Sequence, residues 1–145
     1  MESKLIIIRG NSGSGKTTIA KKLQHHLGHG TLLIAQDVVR RDMLKVHDRE
    51  GNLSIELIRQ IAEYGKGRCE VVIVEGILYA SRYGAMLKDL IHFYDQKAKL
   101  IILIYLLRKP LFVIILAPKK MTSGKILYVL GGIRMIILGW MVKRS

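Results

Sequence analysis

Gly10-Asn11-Ser12-Gly13-Ser14-Gly15-Lys16-Thr17 is the stretch that decides how this chain is read. It fits G-x-x-x-x-G-K-T, the spacing of a phosphate-binding P-loop. An apolar strand-like run, Lys4-Leu5-Ile6-Ile7-Ile8-Arg9, precedes it, and a helix-like run over residues 18–27 follows. Glycines let backbone N–H groups turn inward around phosphate oxygens. A helix opening at Lys16 points its partly positive end at the same oxygens. The expected cradle comprises Gly10, Asn11, Ser12, Gly13, Ser14, Gly15, Lys16, Thr17 and Thr18. Lys16 is expected to reach the β- and γ-phosphates of ATP, and Thr17 to hold Mg²⁺. The alternative, an ordinary Gly/Ser turn, does not account for the strand before and the helix after.

The chain has 145 residues, which the length prior reads as one domain. Half of its residues are hydrophobic, enough to bury a core. Cys69 is the only cysteine, so neither an internal disulfide nor a multi-cysteine zinc site is available. With an N-terminus unlike a signal peptide, this composition leads to an expected cytoplasmic location. The formal net charge of +13 is unevenly spread: residues 1–96 hold all 11 acids and 14 of the 24 Lys/Arg. Residues 97–145 hold ten Lys/Arg and no Asp or Glu.

Residues 1–96 alternate between strand and helix patterns. Strands are expected over residues 5–8, 31–35 and 71–74. The first helix carries Ile19, Ala20, Leu23 and Leu27 on one face and stops near Gly28. A short helix follows Asp37. Residues 54–64 form a longer one with Ile55, Ile58 and Ala62 aligned, ended by Gly65 and Gly67. A further helix aligns Tyr83, Leu87, Leu90, Ile91 and Tyr94. This order predicts an α/β three-layer sandwich on a parallel sheet, with ligands at the carboxyl ends of the strands.

Two further candidate sites fall at strand ends. Gln36-Asp37-Val38-Val39-Arg40-Arg41 follows the second strand. Asp37 could accept a proton from a substrate hydroxyl or simply cap the next helix. Arg40 or Arg41 could clamp an anionic group, or both could lie on a solvated face. Glu75-Gly76 ends the third strand. A carboxylate there can order Mg²⁺ through water, and a strand-terminal acid without a role is the alternative. Gly76 would let the backbone approach a ligand. Tyr79, Ser81 and Arg82 follow closely and are candidates for a substrate pocket. His25, His26 and His29 cluster near the first helix end, where a solvated role suits the helix dipole better than a metal.

The motifs at Gly10–Thr17, Gln36–Asp42 (QDVVRRD) and Val71–Leu78 (VVIVEGIL), in this order, resemble the P-loop small-molecule and nucleoside kinases. Relatives include chloramphenicol phosphotransferase, the zeta-toxin kinases, polynucleotide 5′-kinase and gluconate kinase. The nearest likeness is to bacterial kinases labelled uridine kinase or AAA-type kinase. The resemblance covers residues 1–98. It implies ATP-dependent phosphoryl transfer to a hydroxyl of a small molecule or nucleoside, with Asp37 as substrate-side base and Arg40 or Arg41 binding substrate. No nucleic-acid partner is implied. Neither the loop nor the helix stripes distinguish a monomer from a dimer.

The family continues with a fourth strand and an arginine-bearing lid, and residues 99–145 do not follow that pattern. Three readings compete for this basic aliphatic tail. As a membrane segment, residues 100–107 and 111–117 are split by Arg108-Lys109-Pro110, and residues 126–142 carry Arg134 near their centre. Central charge is costly in a bilayer, so membrane contact is disfavoured. As a nucleic-acid or anionic-lipid surface, its long aliphatic runs are unusual. The preferred reading is translation out of frame. Codons can be chosen for residues 101–145 that, read two bases later, give a stop-free stretch. It resumes the family pattern, with a strand ending in Phe-Asp, a Glu-Glu-Thr helix start and an Arg-His…Arg lid. A stop in the real codons of that phase would refute it. The fold expected is thus a truncated P-loop core over residues 1–98 followed by an atypical tail. Residues 100–107, an apolar run of strand length, could still fill the fourth strand position.

Overall fold

A computed structural model describes residues 1–13, 15–95, 98–106, 109–116 and 127–129. Strand β1 spans Lys4–Gly10, helix α1 Lys16–Leu27, β2 Leu32–Ala35, a short π-type turn Val38–Met43, α2 Leu53–Gly65, β3 Val71–Gly76 and α3 Ala80–Phe93. Three further strands follow: β4 Ala98–Leu106, β5 Lys109–Leu116 and β6 Leu127–Val129. They form one sheet of order β2-β3-β1-β4-β5-β6. The first four positions are parallel, whereas β5 and β6 are antiparallel to their neighbours.

Period-two alternation in β1 and β3 serves two cores. Leu5, Ile7, Val72 and Val74 pack with Ile34, Ile58, Ala62, Tyr83, Leu87 and Leu90, beneath α2 and α3. Ile6, Ile8, Val71 and Ile73 pack with Ala20 and Leu23 of α1. Both faces of these strands are covered, which is why they read as continuous apolar runs. Each fully buried Leu, Ile or Val contributes roughly 1.5–3 kcal/mol of transfer free energy. The aligned faces expected for α1, α2 and α3 are the faces that pack.

Both ends of α2 are set by particular residues. Gly65 is the last residue of α2, as expected, and a Cβ there would sit 2.5 Å from Val72 Cγ2 and 3.0 Å from Leu32 Cδ2. Its small size lets α2 lie close to the sheet, while Gly67, at φ +80°, makes the turn. Helix α2 begins one residue before Ser54, and Asn52 caps it by accepting from the Ser54 N–H at 3.0 Å.

The sheet brings the site residues together. In register, Ala35 of β2, Glu75 of β3 and Ile8 of β1 form one row across three strands. Gly76 and Arg9 form the next row, just past the end of β2 at Ala35, so the three strands end close together. Beyond the α/β core, β4 runs parallel to β1, with Leu5 opposite Ala98 and Gly10 opposite Leu103. The fourth strand position is therefore filled, by residues two positions earlier than the sequence pattern indicates. Of the runs considered for a membrane, residues 100–106 and 111–116 lie in β4 and β5, while residues 107, 117, 126 and 130–142 lie outside the described residues. Among the described residues, no helix is long and apolar enough to cross a membrane.

Candidate functional site

The loop between β1 and α1 has the backbone that its glycines imply. Gly13 and Gly15 have φ of +74° and +85°, in the left-handed region where a side chain is strained. Gly15 stands at the N-terminus of α1, and its carbonyl accepts from the Ile19 N–H at 3.0 Å. No side chain caps this helix and its first turn holds no acid. The positive end of the helix dipole is thus directed into the loop without an internal counter-charge. Asn11, Ser12, Thr17 and Thr18 are exposed along it, and Ser14 lies outside the described residues.

Lys16 is only 8% exposed, and its Nζ donates to the Asn11 carbonyl at 3.2 Å. The ammonium is thereby held across the mouth of its own loop. Thr17 Oγ1 donates to Glu75 Oε1 at 3.1 Å, joining the loop to the end of β3 across 58 residues of sequence. Glu75 is buried, and its Oε2 is enclosed without a hydrogen-bond partner among the described residues. Burial pushes its carboxyl above the ordinary range, and the Asp37 charge adds to this. The Thr17 bond and the Lys16 and Lys21 charges pull it down. A buried carboxylate oxygen with a spare lone pair beside a threonine hydroxyl suits a hard cation such as Mg²⁺.

Asp37 lies at the end of β2 with its side chain 58% exposed. It does not cap the turn that follows. Its backbone is already helical, at φ −65° and ψ −36°, and no side-chain capping bond forms. A cap needs extended dihedrals to fold its oxygen back over the helix N–H groups. Instead Asp37 Oδ1 lies 3.5 Å from Arg40 and 3.8 Å from Arg41. The two arginines differ. Arg40 is 13% exposed and donates to the Val46 carbonyl at 3.0 Å, whereas Arg41 is 65% exposed. Arg40 therefore anchors the chain after the turn, and Arg41 stays open to solutes beside its pair with Asp37. The short helix expected here is wound more widely than an α-helix, with the Leu44 N–H reaching the Val39 carbonyl. Such π-type turns are rare and concentrate at functional sites.

Gly76 is small for an internal reason. A Cβ there would collide with Gln36 Oε1 and Gln36 Cβ. Gln36, rather than a ligand, needs the space. The Gly76→Ala variant is expected to lose about 1–3 kcal/mol of unfolding free energy through overpacking, read by urea titration. Arg82 pairs with Asp48 at 3.4 Å and stacks its guanidinium 5.1 Å from the Tyr79 ring, while Tyr79 stays about half exposed. Ser81 is exposed. His25 and His26 occupy the exposed last turn of α1.

Sequence reasoning missed three residues around the site. Arg9 donates to the Leu78 carbonyl at 2.6 Å, and the Leu78 N–H donates to Gln36 Oε1 at 3.1 Å. Leu78 is wholly buried yet has φ +48°. No local pattern announces a leucine in that conformation.

Residues 5–93 match the model of a protein family described as an AAA domain. The chain belongs to the AAA domain family. Its α/β P-loop kinase-like fold is shared by a solved APS kinase. The APS kinase CysC of Mycobacterium tuberculosis superposes with a TM-score of 0.50 at 16% identity, covering 70% of this chain and 75% of that one. A hexameric APS kinase from Thiobacillus denitrificans gives 0.48 at 19%, covering 70% and 22%. A chain of the Pnkp1/Rnl/Hen1 RNA repair complex gives 0.44 at 24%, covering 69% and 32%. The AAA-domain chain thus spans three-quarters of the first and a third or less of the other two. No curated protein matches it in sequence.

Proposed function

We propose that this chain is an ATP-dependent phosphotransferase acting on a hydroxyl of a small molecule or nucleoside. One observation carries the reading: a glycine-shaped loop opens α1 and is tied by Thr17 to the buried, half-partnered carboxylate of Glu75. In this reading the loop N–H groups of residues 10–18 bind the β- and γ-phosphates. Lys16 leaves the Asn11 carbonyl to pair with them. Thr17 and Glu75 would hold Mg²⁺, which neutralises charge on the phosphates when bound. Asp37 takes the acceptor proton as the acceptor oxygen bonds to the γ-phosphorus and the bond to the bridging β-oxygen breaks, leaving ADP. Arg41 orients an anionic part of the acceptor. The working division is a core of residues 1–98 in the cytoplasm and a tail of residues 99–145.

The Asp37→Asn variant is expected to keep ATP affinity and lose about 10²- to 10⁴-fold in acceptor-dependent turnover. Parallel measurement of ATP dissociation constant and turnover checks it, and unchanged turnover removes Asp37 from the base role. The screen for an acceptor follows ATP consumption on adding nucleosides and alcohols.

A second reading, nucleotide binding without catalysis, rests on the path of the chain after β4. Only residues 107 and 108 separate β4 from its antiparallel partner β5. That leaves no room between them for an arginine-bearing lid, and a supplied arginine is worth several orders of magnitude in rate. ATP binding that depends on Lys16, with no turnover on any acceptor, favours this reading.

A further inference from the structure

The backbone of Leu78 is gripped on both its N–H and its carbonyl by side chains that the motifs give no role. Its N–H is held by Gln36 Oε1 at 3.1 Å, and its carbonyl by the Arg9 guanidinium at 2.6 Å. Gln36 directly follows β2 and directly precedes Asp37. Arg9 directly precedes Gly10, where the phosphate loop begins. Leu78 itself lies three residues after Glu75. One residue's backbone therefore links the ends of three strands, each of which delivers a different candidate site element.

Three features show that this linkage is built rather than incidental. Gln36 is 2% exposed, and a buried amide oxygen without a donor would be strongly disfavoured. Gly76 has no side chain, so that Gln36 can reach across it. Leu78 keeps a left-handed backbone, unusual for a leucine, and its two backbone polar groups are met by these two side chains.

We propose that Gln36 and Arg9 are positioning residues that act through the Leu78 backbone to hold Glu75 and Asp37 in fixed relation to the phosphate loop. The proposal rests on the phosphotransferase reading above, because it needs Glu75 to serve a metal bound with nucleotide. Neither residue touches the substrate. Their action is to restrict how far the end of β3 can shift against its neighbours.

The test compares Gln36→Met, Arg9→Met and Arg9→Lys in the full chain. Calorimetry measures ADP affinity without metal, and then the gain in affinity on adding Mg²⁺. Circular dichroism melts identify which variants fold, and the Arg9 pair serves if Gln36→Met does not. The expected result is metal-free ADP affinity within twofold of wild type and a roughly tenfold weaker Mg²⁺ dependence in both Met variants. Arg9→Lys, which retains a donor for the Leu78 carbonyl, recovers part of that loss. A purely structural role would lower both affinities together, and that outcome overturns the proposal. An unchanged Mg²⁺ dependence in folded variants also overturns it. Wild-type protein that binds no ADP overturns the phosphotransferase reading and this proposal with it, whereas wild-type binding with indifferent variants overturns the proposal alone.

Discussion

The Lys16→Ala variant is expected to bind ATP at least a hundredfold more weakly than wild type while keeping its fold. Lys16 is the one ammonium held inside the loop, 8% exposed and bonded to the Asn11 carbonyl. A hydrogen bond from a charged donor contributes about 1.5–3 kcal/mol. Two phosphate groups served by Lys16 bring the loss to roughly 3 kcal/mol or more, and 1.4 kcal/mol is tenfold. Any turnover falls further, by about 10²- to 10³-fold, because charge builds on the transferring group. The fold survives because the carbonyl that the lysine bonds, that of Asn11, lies within the same loop. Isothermal titration with ATP and Mg²⁺ measures the effect. A wild-type dissociation constant would take Lys16 out of the phosphate site and remove the main support for the kinase reading.

The second large effect is expected at Glu75. Glu75→Gln keeps an oxygen that accepts from Thr17, removes a buried charge and removes the proposed metal ligand. Mg²⁺-dependent nucleotide binding and turnover are expected to fall by about 10²-fold or more, with metal-free binding retained. Stability should move the other way. Burial raises the Glu75 carboxyl above the ordinary glutamate range, so the folded protein holds this proton more tightly than the unfolded chain. Between the ordinary and the raised value, the folded state binds more protons, and stability falls as pH rises. Above that window the wild type carries the full cost of a buried carboxylate, and the Gln variant is at least as stable in thermal melts at neutral pH. Mg²⁺ has to displace the proton, so wild-type metal affinity should weaken on acidification from a pH above that of an ordinary glutamate. A Gln variant with wild-type Mg²⁺ dependence would reject Glu75 as a metal residue.

The phosphate loop was legible because its residue types are forced. Gly13 and Gly15 occupy backbone conformations that other residues resist, and the lysine and threonine follow at fixed spacing. The helix faces were legible for a similar reason. Ala20 and Leu23, or Ile58 and Ala62, recur at the period that one-sided burial demands. Glu75 could be placed at a strand end, but its bond to Thr17 joins residues that only the parallel pairing of β1 and β3 brings near. Asp37 was ambiguous in sequence because a helix cap and a solvent-facing acid use the same residue type, and the local dihedrals separate them. The Gln36–Leu78–Arg9 linkage was invisible because none of the three is an unusual residue in its own stretch. Gly76 carried a signal, but it pointed to a ligand when the neighbour was a side chain. The fourth strand was legible as an apolar run, while its pairing with β5 depends on a turn too short to read from composition.

The two-sided burial of β1 has a consequence for how the chain finds its alignment. In a sheet with one wet face, a one-residue slip drives apolar side chains into water, and the error corrects itself. In β1 the same slip would merely exchange Leu5 and Ile7 with Ile6 and Ile8 between the two cores. Oiliness alone barely distinguishes the two arrangements. Discrimination then falls to polar pegs at the strand's ends. At one end, buried Ser3 donates to the Cys69 carbonyl at 2.6 Å and accepts from the Gly67 N–H at 2.8 Å. At the other, Arg9 meets Leu78. A chain that lost both pegs would still collapse, but into a mixture of alignments, some of which carry the phosphate loop one residue out of place.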